Sequence, residues 1–190
     1  MPSVSLTIWS GKRTRILDEI EDAHQSIGGS GRGRRFATLQ VNYAYAMLLS
    51  SQFQAFCRDL HTECANAMTV CVPDPDLGAI LVEALIRERK LGRGNANPGN
   101  IGSDFARFGL PFWEDVLKLD VRNKSRQLHL ESLNEWRNAI AHDDFTRILS
   151  GSMLRLSRVR AWRGACDKLA MAFDQTMYHY LSTLNRTSPW

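Results

Sequence analysis

A chain of 190 residues has room for one ordinary globular domain, and its 44% hydrophobic and 23% charged residues are typical of a folded protein rather than a disordered one. The formal net charge of +4 suits a nucleic-acid partner without requiring one. The chain has neither a charged leader followed by an apolar run nor a stretch apolar enough to cross a bilayer. We therefore expect a single domain over residues 1–190, with no signal peptide and no membrane contact.

Helical periodicity divides the chain into five long segments, with an irregular stretch between the third and the fourth. Apolar residues recur at steps of three and four within each segment, and prolines and glycines fall between the segments. The predicted helices cover 12–27, 36–71, 76–90, 124–141 and 157–184, with shorter helical turns at 103–108 and 112–119. No segment alternates with the period of two that a strand requires. The sequence therefore predicts an all-α helical bundle of four to five long helices with short extra helical turns.

Two helix starts and one buried face can be predicted more specifically. Ser10 is expected to cap the first helix and Asp76 the third, because both have short side chains that accept hydrogen bonds from backbone amides. The third helix carries four large apolar residues that are expected to face inward, namely Leu77, Ile80, Leu81 and Leu85.

The four cysteines are predicted to be reduced thiols in the core. Cys57, Cys64 and Cys71 are spaced by sevens along the apolar seam of the second helix, and Cys166 lies on the apolar stripe of the last helix. No pair has the C-x-x-C spacing. Free core thiols indicate a reducing compartment, most simply the cytoplasm.

The fourth long helix contains an arginine in an unusual position. On a helical wheel of about 100° per residue, Leu133, Trp136 and Ile140 fall on one side and are expected to face the core. Arg137 falls at the edge of this apolar side, where a guanidinium is partly desolvated and needs an acidic partner or a bound anion. Asp59 on the second helix is a candidate for that acidic partner.

His142 comes at the predicted end of the same helix and is followed by two acids. Acidic side chains near a helix C-terminus oppose the helix dipole. Asp143 and Asp144 are therefore expected either to cap the next turn or to orient His142. On the wheel, the side opposite the core is predicted to carry Glu131, Glu135, Asn138 and His142.

Residues 137–142 form a motif that resembles the signature of the HEPN superfamily, and they read Arg137-Asn138-Ala139-Ile140-Ala141-His142. That signature has an arginine, usually a polar residue next, and a histidine a few places on, late in a helix of a bundle. Many HEPN proteins are metal-independent endoribonucleases that act as dimers with the two motifs facing across a shared cleft. The resemblance therefore implies RNA as substrate, a homodimer, no metal or cofactor, and products with 2′,3′-cyclic phosphate and 5′-hydroxyl ends. It also implies a candidate role as a toxin or defence effector, with an antitoxin or another regulatory protein as partner.

The resemblance also implies a role for each motif residue. His142 would assist proton transfer at the RNA 2′-hydroxyl or the leaving 5′-oxygen, Arg137 would hold the scissile phosphate, and Asn138 would position the phosphate or a motif side chain. Histidine and arginine suit these tasks by their own chemistry. Residues five apart point about 140° apart on an ideal helix. The pair can therefore meet on one phosphate only if the helix unwinds before His142 or if two chains share the site, which favours a homodimer.

Two other functions fit the same sequence. A non-catalytic HEPN-like module would bind RNA, a nucleotide or a protein, with Arg137 in a structural ion pair and His142 as a C-terminal helix cap. A helical scaffold subunit would use its apolar seams for assembly and would be indifferent to changes at His142.

Three further patterns are more easily explained structurally than functionally. The glycine- and arginine-rich segment 28–35 lacks the Gly-Lys-Ser/Thr ending of a phosphate loop and is predicted to be a flexible loop, with RNA contact as the alternative. His61 and Cys64 are three apart on a helix but have no third ligand at a supporting spacing, so we expect no metal there. A basic run at the start of the last helix is predicted to form a solvated face, with guidance of RNA as the alternative, and comprises Arg155, Arg158, Arg160 and Arg163.

Overall fold

The computed structural model describes residues 1–28, 35–146, 148 and 153–190. Within these ranges the regular structure is entirely helical, which confirms the predicted all-α bundle. In chain order the helices are α1 (Val4–Ile8), α2 (Thr14–Gly28), α3 (Arg35–Thr69), α4 (Pro75–Ile86), α5 (Lys90–Arg93), α6 (Pro98–Phe105), α7 (Phe112–Leu119), α8 (Asn123–His142) and α9 (Leu156–Asn185). A π-helical turn (Trp9–Arg13) joins α1 to α2, and a 3₁₀ turn (Ala106–Phe108) follows α6. Residues 29–34 of the predicted loop at 28–35 lie outside the described residues.

The long helices α3 and α9 form the centre of the bundle. α3 packs against α2, α4, α8 and α9, and α9 packs in addition against α7. The predicted seam of α3 is buried at every position from Ala46 to Ala67, because its residues recur at the spacing of one helix face. In the aromatic part of the core, Phe53 from α3 contacts Phe173 from α9 and its own neighbour Phe56.

Neither predicted N-cap residue caps a helix. The predicted first helix corresponds to α2, which follows the π-helical turn directly, and the observed cap is Ser3 on the unpredicted helix α1, where its Oγ accepts a hydrogen bond from the Leu6 amide at 3.0 Å. Ser10 instead lies inside the π-helical turn. Asp74 rather than Asp76 caps α4, because Pro75 occupies the first helical position and leaves the preceding residue in extended backbone.

The predicted inward face of α4 is largely wrong. Leu85 packs against the core, but Leu77, Ile80 and Leu81 are 48%, 64% and 41% exposed. The side that packs against the rest of the bundle is formed by Gly78, Val82, Leu85 and Ile86. Both sides of α4 are apolar, so periodicity alone did not distinguish the buried side from the exposed one.

Three of the four cysteines are core thiols, as predicted, and the fourth is not. Cys57, Cys64 and Cys166 are fully buried, and burial raises the pKa of each thiol well above its ordinary value. Cys71 is exposed, because α3 ends at Thr69 and the chain leaves the seam in a turn. All four are free thiols.

The segment between α4 and α8 is attached to the core through the buried residue Asp104. Its carboxylate accepts hydrogen bonds from the backbone amides of Lys90 at 2.9 Å and Leu91 at 2.7 Å, at the start of α5. Its backbone carbonyl lies 3.1 Å from the Nε2 atom of His61 on α3. These contacts fix α5 and α6, and with them the loop 94–97 that lies against α8.

No helix in the part of the chain that the structure describes has both the length and the apolar character needed to cross a membrane.

Candidate functional site

The predicted division of α8 into a core side and a solvent side is confirmed. Leu133 and Trp136 are buried, and Ile140 packs against the core from a partly buried position. The predicted outward residues are all exposed, and they are Glu131, Glu135, Asn138 and His142. The helix therefore presents the motif residues along its solvent side and its edge.

Arg137 is half-buried at the edge of the apolar side, as predicted, but it has no acidic partner among the described residues. Its Nη1 atom donates a hydrogen bond to Asn138 Oδ1 at 3.2 Å. The predicted pairing with Asp59 is wrong, because Asp59 on α3 binds the guanidinium of Arg13 at 2.6 Å instead. Arg137 therefore keeps an unneutralised charge in a partly desolvated position, where a bound anion would be stabilised.

Asn138 is held in a single orientation by two donors. Its Oδ1 accepts from Asn95 Nδ2 at 2.6 Å and from Arg137 Nη1 at 3.2 Å. Both acceptor positions of the oxygen are then occupied. The Asn138 Nδ2 group has no acceptor within the described ranges, so it remains as a donor toward solvent beside Arg137.

Asn95 was missed by sequence reasoning, and it belongs to a set of amide side chains that fix the loop 94–97 on α8. We call this set the amide cluster, and its members are Gln54, Asn95, Asn100, Asn134 and Asn138. Gln54 Nε2 donates to the Gly94 carbonyl at 2.7 Å and Asn134 Nδ2 donates to the Ala96 carbonyl at 3.1 Å. Asn100 Nδ2 donates to the carbonyl of Asn95 at 2.8 Å. The Asn-rich composition of 95–100 is the only signal in the sequence that could have indicated it.

His142 is the last residue of α8 and its side chain is exposed. Asp143 follows in the left-handed conformation with φ 51°, and the backbone amides of Asp143 and Asp144 both donate to the carbonyl of Ala139. The Asp144 carboxylate accepts from the Thr146 amide at 3.0 Å, so it caps the following turn, which is one of the two predicted roles.

Because α8 continues through His142 without unwinding, Arg137 and His142 point about 140° apart within one chain. The structure brings Arg137, Asn138 and Asn95 together. His142 lies one turn beyond Asn138 on the solvent side of α8, and only Arg137 points well away from it.

Tyr43 on α3 packs its aromatic ring beside the end of α8, and the sequence alone did not single it out. Its ring stacks on Phe145 with centroids 5.7 Å apart and lies 6.4 Å from Trp136. Burial, and then the nearby Asp143 carboxylate, raise the pKa of the Tyr43 hydroxyl. The hydroxyl therefore stays protonated near neutral pH and is a hydrogen-bond donor next to the residues that follow His142.

Three of the four arginines in the basic run at the start of α9 are exposed, as predicted, and Arg163 is half-buried. Arg163 pairs with Asp18 at 2.5 Å and Arg160 pairs with Glu21 at 2.7 Å, so both arginines join α9 to α2. The Arg158 guanidinium lies 5.7 Å from the ring centre of Trp136 in a cation–π contact.

His61 and Cys64 are both fully buried. The described residues contain no group of three His, Cys, Asp or Glu side chains that could hold a metal ion, so this pair gains no third ligand.

No protein-family model matches the chain, and no curated protein or solved structure matches it significantly. The likeness to the HEPN superfamily therefore rests on the Arg137–His142 motif and on the helical architecture around it.

Proposed function

We propose that this protein is a metal-independent endoribonuclease of the HEPN type, which cleaves RNA to 2′,3′-cyclic phosphate and 5′-hydroxyl ends. The observation that carries the proposal is the half-buried Arg137 guanidinium, which has no acidic partner in the described ranges and lies beside the amide donor of Asn138. A partly desolvated cation next to a fixed neutral donor suits a phosphodiester anion, whose charge increases in the transition state.

His142 supplies the proton-transfer group in this proposal. Acting as a base, its imidazole takes the proton of the RNA 2′-hydroxyl while the 2′-oxygen attacks phosphorus. The bond from phosphorus to the 5′-oxygen breaks, and that oxygen leaves with a proton returned by the imidazole. The exposed position of His142 supports this role because RNA can reach it directly.

The continuity of α8 supports a site shared by two chains. Arg137 and Asn138 of one chain would hold the phosphate, and His142 of the partner subunit would transfer the proton. The proposal therefore includes a homodimer. The alternative is that RNA bends around one helix and reaches both residues of a single chain.

The first experiment incubates the purified protein with end-labelled RNA in EDTA, beside Arg137→Ala and His142→Ala. We expect cleavage by the wild type and a loss of at least about 100-fold in both variants. Matched controls are Arg15→Ala and His179→Ala, which remove an exposed arginine and an exposed histidine from other helices. Circular dichroism checks that each variant is folded. Equal cleavage by all variants would contradict the assigned site.

Mixing the two inactive variants tests whether the site is shared. In a mixed dimer, one of the two shared sites combines an intact Arg137 with an intact His142. Random exchange of subunits should therefore restore about a quarter of the wild-type activity. A site within one chain predicts no restoration.

A second candidate is a non-catalytic module that binds RNA or a nucleotide. The divergence of His142 from Arg137 favours it, because a phosphate bound by the cation and the Asn138 amide need not contact a histidine that points about 140° away from Arg137. Absence of cleavage, with RNA binding that is lost in Arg137→Ala but kept in His142→Ala, would select this function and overturn the nuclease.

A toxin or defence role belongs to the nuclease proposal. Expression in growing cells should then arrest growth in the wild type but not in His142→Ala, and an antitoxin would be sought by suppression of that arrest.

A further inference from the structure

The helix α4 leaves an apolar surface uncovered. Its side toward the bundle is apolar, and its opposite side carries a row of apolar residues that we call the α4 ridge, consisting of Leu77, Ile80, Leu81 and Ala84. Ile80 is 64% exposed and Leu77 is 48% exposed. A contiguous exposed apolar stripe marks an interaction surface.

The shape around the α4 ridge suits a second helix. A groove of about 900 Å³ runs along one flank between α4 and α6. Ile80 and Ala84 contribute to its wall, and most of its other lining residues are charged, among them Glu83, Arg87 and Arg107. A second groove of about 560 Å³ runs along the other flank, between α4 and the ends of α3 and α9, with Leu81 and Ala84 in its wall. Rows of side chains on one helix pack into the grooves between such rows on another, so the exposed α4 ridge can pack against a second helix.

The charges at the two ends of α4 are complementary to each other. Asp74 and Asp76 lie at its N-terminal end. At its C-terminal end Arg87 pairs with Glu83, and the Arg107 guanidinium donates to the carbonyls of Ala84 and Arg87. Two copies of α4 packed antiparallel would place the acidic end of each beside the basic end of the other. A twofold interface requires this kind of self-complementarity, and opposed helix dipoles add to it.

We propose that the α4 ridge is a contact between two copies of this chain, packed antiparallel about a twofold axis near Ile80 and Leu81. Leu77 then packs against Ala84 of the partner subunit, and Arg87 approaches the acidic N-terminal end of the partner's α4. This contact goes beyond the proposed function because it uses no residue of α8. The dimer that the motif implies would instead meet through α8, so mutations separate the two contacts.

Sedimentation velocity of the full chain over a wide concentration range tests the contact. We expect the wild type to dimerise, and Ile80→Glu or Leu77→Glu to raise the dissociation constant by at least about 100-fold, since each introduced charge is buried twice in a twofold interface. Met171→Glu is the matched control, because Met171 on α9 is similarly exposed at 55% and lies outside the ridge. Circular dichroism should show no change, as the substituted side chains are exposed in the single chain.

A charge exchange tests the antiparallel arrangement. Asp76→Arg and Arg87→Asp should each weaken the dimer, and the double variant should recover most of the lost affinity. The pair between Arg87 and Glu83 within one chain is exposed on both sides, so its loss should have little effect on folding. A wild-type tetramer that becomes a dimer in Ile80→Glu would also support the proposal. A wild type that stays monomeric, a dimer unchanged by Ile80→Glu, or a double variant weaker than both single variants would overturn it.

Discussion

The orientation of Asn138 depends on a residue that is distant in the sequence. Asn95 donates to Asn138 Oδ1 at 2.6 Å, and this bond together with that from Arg137 directs the Asn138 amide nitrogen toward solvent. The Asn95 loop is itself held by Gln54 and Asn134, through hydrogen bonds to the carbonyls of Gly94 and Ala96. If Asn138 contacts the substrate phosphate, Asn95 acts as a positioning residue that orients the Asn138 amide.

We therefore predict that Asn95→Ala lowers kcat/KM for RNA cleavage by about 3- to 10-fold, the effect of losing roughly one neutral hydrogen bond. Asn66→Ala provides the control, because Asn66 is exposed on α3 and its side chain makes no hydrogen bond among the described residues. Steady-state cleavage assays of both variants measure the effect. Equal rates for Asn95→Ala and Asn66→Ala would show that the orientation of Asn138 does not matter for cleavage.

For individual residues, the sequence predicted the side of a helix on which a residue lies better than it predicted which residues of other helices it contacts. The half-buried position of Arg137 followed from its angle on the α8 wheel, which depends only on neighbours along the chain. Its partners depend on how helices pack, so the expected pairing with Asp59 was wrong and the contact with Asn95 was not foreseen. His142 was correctly placed at the end of α8, because the two acids that follow it disfavour helix continuation.

Two helical glycines should respond in opposite ways to the same added methyl group. A Cβ atom on Gly102 in α6 would lie 2.8 Å from Trp113 Cδ1. The indole is fixed there, since its Nε1 atom donates to the Pro98 carbonyl at 2.8 Å. A Cβ atom on Gly164 in α9 meets nothing within 4 Å.

We predict that Gly102→Ala lowers the free energy of unfolding by about 1–3 kcal/mol through overpacking. Gly164→Ala should raise it by about 0.5–1 kcal/mol, because alanine favours helix over glycine. Urea denaturation of both variants measures the two changes. A gain in stability for Gly102→Ala would mean that Trp113 yields easily and that α6 is loosely packed.

The C-terminal end of α8 is formed by Asp143 in a left-handed backbone conformation. Asp143 has a φ of 51°, a conformation that costs a residue with a Cβ atom more than it costs glycine. Asp143→Gly should therefore raise the free energy of unfolding by about 0.5–1 kcal/mol. Glu135→Gly, also an exposed acid on α8 but in its interior, should lower it by about 1 kcal/mol. Thermal or urea unfolding of the pair measures both signs, and a loss of stability in Asp143→Gly would indicate that its carboxylate makes a compensating contact.

The sequence predicted the long helices nearly to their ends, but not the short ones or the exposed side of α4. Proline and glycine mark the segments before and after α3 and the start of α4, because these residues interrupt helical backbone, and the acidic pair after His142 marks the end of α8. α5 (Lys90–Arg93) is too short to show any periodicity. On α4 the amphipathic signal is weak because both sides are apolar, and that same property suggests a partner for its exposed ridge.

At the scale of the whole molecule, α3 connects the site to the rest of the bundle. It carries Gln54, which holds the Asn95 loop, and Tyr43, which supports the end of α8. Its C-terminal half carries Glu63, whose carboxylate accepts from the amides of Val4 and Ser5 at 2.8 and 2.9 Å. His61 lies between these contacts, fully buried against Phe105 and Phe108.

His61 should make the stability of the whole fold depend on pH. Burial lowers the pKa of His61 from 6.5 to about 4, with the neighbouring Arg89 adding to the effect. The unfolded chain takes up a proton near pH 6.5, whereas folded His61 stays neutral until about pH 4. The free energy of unfolding is therefore highest above pH 6.5 and falls as the pH drops through this window, by about 3 kcal/mol in total.

Urea denaturation between neutral pH and pH 5 measures this dependence, with His61→Gln as the control. Glutamine keeps a donor for the Asp104 carbonyl but does not titrate, so the variant should show a flatter dependence on pH. Burial raises the pKa of Asp167 and of Asp174. These two carboxyl groups therefore stabilise the folded state as the pH falls, which is opposite to the effect of His61. Because both proteins contain them, the difference between the wild-type and His61→Gln profiles reports the histidine alone. If His61→Gln does not fold, titration of the His61 ring in the wild-type protein by NMR measures its pKa directly. Parallel pH profiles, or a ring that protonates near pH 6.5 in the folded protein, would show that His61 is accessible to water.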